Sequence, residues 1–408
     1  MAGYDLIVVG AGPGGATAAA LAARRGLRVL LVDHARFPRD KVCGDAISGK
    51  SLEVLRELGI IQRVASAASV PSWGVLFSGP GGAEVAIPFA PNGSIGEPPG
   101  FVCAREIYDD LLVRRASELG AEVREGCAVE GLVREGSSVR GVVLQNGATD
   151  KEIRAPLVVG ADGAYSVVAR SLGLQQLDED HYYAGVRAYY EGLDGFRPGN
   201  FIELHFVDEA IPGYFWIFPM ADGRANVGLG TLSSRIKKHG LRLKEVLEAT
   251  IESPRFRERF AGARRVGKVT GWGMPLGSAP RPLSGDGWML VGDAASLIDP
   301  FTGEGIGNAM LSGSIAARVA AEALRTSDSP GADALAGYGT AVHAALDAEL
   351  RLSYVLRRLE RWKWLLEAVI RKAGKQPELA STISSMFSDL DARRQLASPL
   401  FYLRVLTA

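Results

Sequence analysis

Gly10-Ala11-Gly12-Pro13-Gly14-Gly15 has GxGxxG spacing, and Asp33 follows 18 residues after Gly15. Each residue type has a physical use there. Gly10 permits a tight turn after a strand, Gly12 lets backbone approach a pyrophosphate, and Gly15 lets a helix pack closely on the strand. The helix that follows presents free N–H groups and a positive dipole end to phosphates. The Asp33 carboxylate can accept hydrogen bonds from an adenosine ribose and would repel a 2′-phosphate. Gly10, Gly12, Pro13, Gly14, Gly15 and Asp33 are therefore expected to hold a dinucleotide, and NAD and FAD both fit. The plain alternative is a glycine turn without a ligand. It is disfavoured because strand, helix and terminal acid are all in place.

Further residues suit redox chemistry on an apolar substrate. Asp162-Gly163 lies in LVVGADGAYSVVAR (157–170), and Gly292-Asp293-Ala294-Ala295 opens the stretch GDAASLIDPFTGEGIGNAM. Taken singly, each aspartate could be only a helix cap. In IPGYFWIFP (211–219), strand alternation puts Tyr214, Trp216 and Phe218 on one face and Phe215, Ile217 and Pro219 on the other. Such a face makes a flat apolar slot with the tyrosine hydroxyl as a polar marker, or else simply packs a sheet. Cys43-Gly44-Asp45, in FPRDKVCGDAIS (37–48), offers a thiol that could donate a proton, since its ordinary pKa of about 8.5 keeps it protonated at neutral pH. Asp45 is too acidic for that role unless buried. The bland reading makes Cys43 a small packed residue and Gly44 a turn. Cys103 and Cys127 fall outside any motif and are expected in the core. His34, beside Asp33, could touch adenosine, but a solvated loop residue is the simpler expectation.

The elements that must position these residues are legible. YDLIVVG (4–10), an Ala-rich helix ending near Arg25 with Gly26 as its cap, and LRVLLVD form one strand–helix–strand unit. Helical patterns recur at 48–58, 105–119 and 305–324, strand-like stretches at 121–125, 140–144 and 156–160, and a buried-strand pattern in WMLVGD (288–293). Residues 71–100 read as a hairpin-rich excursion. From 181 to 275 the alternation is that of an antiparallel sheet. From about 333 the chain is helical and charged.

Composition bounds the function. At about 150 residues per domain, 408 residues favour two domains. With 47% apolar and 23% charged residues, the chain as a whole is not disordered. Lys+Arg and Asp+Glu are 46 each, which argues against nucleic acid, since phosphate binding needs a basic surplus. Three cysteines without a CxxC pair give neither a disulfide framework nor a zinc site, and the five histidines lack metal spacing. A cytoplasmic setting is expected, with no secretory lead-in and no membrane-spanning window. Residues 351–376 carry Arg351, Arg357, Arg358, Arg361, Lys363, Arg371, Lys372 and Lys375 against Glu360 and Glu367, with Leu352, Val355, Leu359, Trp362, Leu366 and Val369 at helical spacing. Two readings fit: a helix packed on the domain with a solvated basic face, or a peripheral contact with the inner face of an anionic membrane.

Together the glycine loop, Asp162-Gly163 and Gly292-Asp293-Ala294-Ala295 resemble the three fingerprints of the FAD-dependent hydroxylase and reductase superfamily, which is para-hydroxybenzoate-hydroxylase-like. The CGD and YxWxFP stretches are similar to signatures of its geranylgeranyl reductase branch. The resemblance covers residues 4–325 or so. It implies an α/β fold: a Rossmann-like FAD-binding domain (1–70, 101–180 and 276–330), an inserted, mostly antiparallel substrate domain (71–100 and 181–275), and a C-terminal helical region (331–408). It implies that Asp293 contacts the ribityl chain and that Gly305 and Ile306 lie near the pyrimidine end of the flavin. A helix N-terminus there would stabilise anionic reduced flavin by up to ~2 kcal/mol. Arg105 would touch the cofactor, the Val129 backbone the adenine, and the loop bearing Gly44 and Asp45 would approach the ring. The family reduces carbon–carbon double bonds in polyprenyl chains of lipids, chlorophyll precursors or quinones. The expected reaction is hydride transfer from flavin N5 to an alkene, with a proton from Cys43 or water. With one dinucleotide fingerprint, NAD(P)H would bind transiently, or ferredoxin would supply electrons.

Competing readings are an FAD-dependent monooxygenase, a halogenase and a non-catalytic prenyl-lipid carrier. Halogenases of this fold carry WxWxIP and use a lysine after the first strand–helix–strand unit. Here Tyr214 and Phe218 depart from that signature, and no lysine occurs between Lys50 and Lys151.

Overall fold

The computed structural model describes every residue except 1–2, 48, 90–96, 146–150, 176, 377, 381–382 and 384–408. Strands β1 (Leu6–Val9) and β2 (Val29–Asp33) are buried along their whole length and pair in parallel. Continuous runs of Leu, Ile and Val suit strands covered on both faces. They are the centre of a six-stranded sheet ordered Ser284–Gly285, Trp288–Leu290, Leu157–Gly160, β1, β2, Glu122–Glu125. All neighbours are parallel except the first pair. Between β1 and β2 runs helix α1 (Pro13–Arg24), which begins on Pro13 and is followed by Gly26 at a positive φ. A Cβ on Gly313, in the helix Ile306–Thr326, would lie 2.3 Å from the Gly14 carbonyl oxygen. The two helices can cross this closely only because the site lacks side chains. That crossing brings the start of the second helix beside the glycine loop.

The second large sheet has seven strands in the order Arg264–Pro275, Tyr182–Glu191, Arg224–Leu232, Gly213–Pro219, Ile202–His205, Gly74–Ser78, Glu84–Pro88. Its pairs are antiparallel apart from the one joining Ile202–His205 to Gly74–Ser78. The stretch expected as a hairpin-rich excursion thus forms a hairpin on this sheet, while its residues 90–96 lie outside the described residues. In the strand Gly213–Pro219, Trp216 and Phe218 join one apolar cluster and Phe215 and Ile217 another, so the sheet is buried on both faces.

The tail departs from the single apolar stripe expected over 351–376. The helix Ala332–Leu359 ends and a second one, Lys363–Ala373, begins. The break rotates the register. Val355 and Trp362, expected on the buried stripe, are exposed, while Leu359, Leu366 and Val369 pack on the cluster holding Trp216 and Phe218. Most of 377–408 lies outside the described residues. Among the described residues, no helix is long and apolar enough to cross a membrane, and no group of His, Cys, Asp and Glu could hold a metal ion.

Candidate active site

The glycine loop opens onto a cavity of about 890 Å³ that extends to the strand Gly213–Pro219. Gly10 has φ +96°, and a Cβ there would lie 2.5 Å from the Ala161 oxygen. On Gly15 a Cβ would meet the Gly10 carbonyl oxygen at 1.8 Å, so this residue lets α1 sit on β1 and does not line the cavity. Gly12 differs: nothing of the protein lies within 4 Å of its would-be Cβ, and Gly12, Pro13 and Gly14 face the cavity. Asp33, at the end of β2, accepts hydrogen bonds from the Ala11 N–H (Oδ2, 2.6 Å) and the Ala35 N–H (Oδ1, 2.8 Å). Its carboxylate is thereby locked at the cavity edge. Open space over Gly12, a helix N-terminus and a fixed carboxylate fit the pyrophosphate and ribose of FAD. Val129 lines the same end, as does Cys127, which is half-buried and not in the core as the sequence suggested. Cys103 is fully buried, and burial pushes its thiol up to about 12. His34 is an exposed residue of the rim.

Asp162 and Asp293 both line the cavity, but they are bound differently. The Asp162 carboxylate accepts from the Ser166 hydroxyl (2.5 Å) and from the N–H groups of Val167 (2.6 Å) and Val168 (3.1 Å), so it joins Ser166, the N-cap residue, in satisfying the start of the helix Val167–Ser171. Asp293 sits in the turn Gly292–Ala295, beside Gly305 and the first residue, Ile306, of the long helix. Gly305 and Ile306 aim that helix's N-terminus into the cavity. Arg105 is buried at the cavity wall and binds Asp109 through two hydrogen bonds of 2.7 and 2.8 Å. It also lies against the Cys43 sulfur.

The loop 39–45 is fastened to the seven-stranded sheet. Asp40 pairs with Arg187, the Lys41 ammonium lies 4.3 Å from the centre of the Trp272 ring, and Asn226 donates to the Cys43 carbonyl at 2.7 Å. Asp45 adopts φ +67° and is fully buried. Its Oδ2 accepts from Tyr189 (2.9 Å) and Asn226 (2.8 Å). Burial raises its carboxyl to about 6, against the pull of Asn226, Arg187, Tyr189 and Arg105. The Asp45 N–H meets the Cys43 sulfur at 3.4 Å, and Cys43, Gly44 and Asp45 all line the cavity.

Opposite stand Tyr214, Trp216 and Phe218, which share one face, with successive ring centres 6.2 and 6.3 Å apart. The tyrosine hydroxyl is not the polar marker expected, because it donates to the Thr302 carbonyl at 2.5 Å. Sequence reasoning missed Lys41, whose ammonium burial destabilises, lowering its pKa. Its position two residues before Cys43 was the available signal, and the lysine-free stretch after Lys50 does not bear on it. Asn226 and the buried Glu360 were missed as well. Apart from Trp216, their partners are distant in sequence, so no local pattern marked them.

Residues 3–346 match the family model described as FAD binding domain. The chain is 35% identical over 319 residues to a menaquinone reductase of Mycobacterium tuberculosis, covering 77% of this chain and 76% of that one. It is 36% identical over 333 residues to a digeranylgeranylglycerophospholipid reductase of Methanosarcina acetivorans, covering 80% and 77%. The crystal structure of a geranylgeranyl bacteriochlorophyll reductase-like protein from Thermoplasma acidophilum superposes with a TM-score of 0.82 at 25% identity, over 97% of this chain and 99% of that one. A flavin-dependent brominase shares the fold, with a TM-score of 0.78 at 21% identity over 95% and 93% of the two chains. The chain belongs to the FAD-binding-domain family, in its geranylgeranyl reductase branch, and is an FAD-dependent oxidoreductase.

Proposed function

We propose that the protein reduces carbon–carbon double bonds in the polyprenyl chain of a lipid or quinone. The observation that carries this reading is one continuous cavity lined by the glycine loop and Asp33, by the Cys43 loop, and by Tyr214, Trp216 and Phe218. Gly12, Pro13, Gly14, Asp33, Val129, Asp293, Gly305 and Ile306 would hold FAD. Bound reduced FAD supplies the hydride equivalent. The aromatic wall excludes water and orients an isoprenoid, so much of the rate gain comes from holding the alkene in a reactive pose. Cys43 Sγ holds the proton that the second alkene carbon must receive, and Arg105 beside it steadies the sulfur as the proton leaves. Electrons would enter from NAD(P)H bound transiently, or from ferredoxin.

A water-insoluble substrate requires access from a bilayer. At the turn between the helices Ala332–Leu359 and Lys363–Ala373, Trp362 and Trp364 are 55% and 62% exposed, Arg358 and Arg361 are exposed as well, and the Lys363 ammonium pairs with Asp208 at 2.8 Å. Exposed indoles ringed by cations suit an anionic lipid surface, and this turn is the proposed peripheral contact.

A halogenase reading has one observation in its favour, the Lys41 ammonium in the cavity wall. One anaerobic experiment separates the two. The flavin is photoreduced, geranylgeranyl diphosphate or a menaquinone is added, and product mass is followed. Reoxidation with a product heavier by two hydrogens supports the reductase. Flavin that stays reduced with every prenyl substrate overturns it, and a product that forms only once oxygen and halide are admitted favours the halogenase.

A further inference from the structure

Asn226 lies on the strand Arg224–Leu232, fully buried and outside the cavity wall. It makes three side-chain hydrogen bonds. Its Oδ1 accepts from the Trp216 indole N–H at 2.9 Å, and its Nδ2 donates to the Cys43 carbonyl at 2.7 Å and to Asp45 Oδ2 at 2.8 Å. The partners determine the orientation of the amide. An indole N–H can only donate and a carbonyl can only accept, so the oxygen must face Trp216 and the nitrogen the loop. No other residue type of this size offers both an acceptor and two donors from one planar group. One amide therefore joins two walls of the cavity, the aromatic strand and the cysteine loop.

The geometry points to Asn226 as a positioning residue that sets the distance between the Cys43 thiol and the Trp216 face, and so where an alkene can lie between them. It touches neither substrate nor cofactor. The groups around its loop contacts are Tyr189, whose hydroxyl shares Asp45 Oδ2, the cations Arg187 and Arg105, and the Cys103 thiol. Asp45 Oδ1 has no hydrogen-bond partner among the described residues, so Asn226 and Tyr189 are the side chains that tie down this carboxyl.

Asn226→Asp keeps the shape and the bond to Trp216 but replaces both donors by a carboxylate facing Asp45. Two such carboxylates repel unless they share a proton. The loop should then be released at high pH and tied again as pH falls.

The test reads Cys43 alkylation by iodoacetamide in the holoenzyme, followed by peptide mass spectrometry, with the half-buried Cys127 as internal reference. For Asn226→Asp the Cys43 rate, relative to Cys127 and to wild type, should rise about tenfold at alkaline pH, the loss of a hydrogen bond to a charged group, and return toward wild type in acid. Asn226→Ser, which cannot span both walls, should show the rise without the return, and it serves if the Asp variant does not fold. A Cys43 rate equal to wild type in the folded variant overturns the inference, as does a rise shared equally by Cys127. The activity arm rests on the reductase reading: kcat should fall with KM little changed, and recover in acid for Asn226→Asp only. If wild type itself reduces no prenyl chain, the reductase reading fails, and the alkylation result still decides the role of Asn226.

Discussion

Gly44 lies directly against the ring of Phe218: a Cβ at position 44 would sit 2.8 Å from Phe218 Cε2. The loop that carries Cys43 and the strand that carries the aromatic wall thus meet where neither has atoms to spare. Gly44→Ala must displace Phe218 or the loop. Overpacking of this kind costs about 1–3 kcal/mol. Turnover should fall at least about tenfold while flavin content is kept, and paired activity and absorbance measurements check this.

Replacing Cys43 by Ala tests the proton donor. A positioned acid contributes a factor of about 10²–10⁴, so turnover in single-turnover anaerobic assays should drop about a hundredfold while the protein stays yellow. Unchanged turnover would transfer the role to water.

Two glycines of one loop should behave oppositely. Gly12 has open space where its Cβ would go, whereas Gly15 has a carbonyl oxygen at 1.8 Å. Gly12→Ala should leave the melting temperature of the apoprotein unchanged and weaken FAD binding at least about tenfold, ~1.4 kcal/mol. Gly15→Ala should lower the apoprotein's melting temperature by several degrees before cofactor is added. Calorimetry and flavin titration distinguish the two.

Glu360 gives stability a pH dependence. It is buried, Oε2 accepts from the Gly213 N–H at 3.0 Å, and burial pushes its carboxyl up to about 8 from an ordinary 4.5. Between those values the folded protein keeps a proton that the unfolded chain has lost, so stability falls as pH rises through that window. Asp45 adds the same sign only up to about 6. Glu360→Gln should therefore flatten the decline in urea midpoint between about pH 6 and 8. A slope as steep as wild type would assign it to other groups.

At the exposed tryptophan turn, Arg358→Gln and Arg361→Gln should each weaken binding to anionic vesicles by about fivefold, at ~1 kcal/mol per cation. Trp362→Ser with Trp364→Ser should weaken binding to neutral vesicles too. Flotation assays measure both, and binding unchanged in all variants would remove the membrane contact.

Much of this site was legible in the sequence because its signals are local. Gly10 and Gly15 are required by a turn and a packing contact within one strand–helix unit, and Gly12 between them leaves open space, so their spacing carries the meaning. Alternation alone put Tyr214, Trp216 and Phe218 on one face, since a strand's period does not depend on what it packs against. Tertiary structure decided what those faces meet. It bound the Tyr214 hydroxyl to Thr302, engaged the Asp162 carboxylate at a helix start, moved Cys127 from core to cavity wall, and buried Asp45 far enough to raise its carboxyl. It also joined Asn226 to residues 10 and 183 positions away. Hydrogen-bond partners and desolvation depend on which distant segments fold together, and no pattern confined to neighbouring residues encodes that.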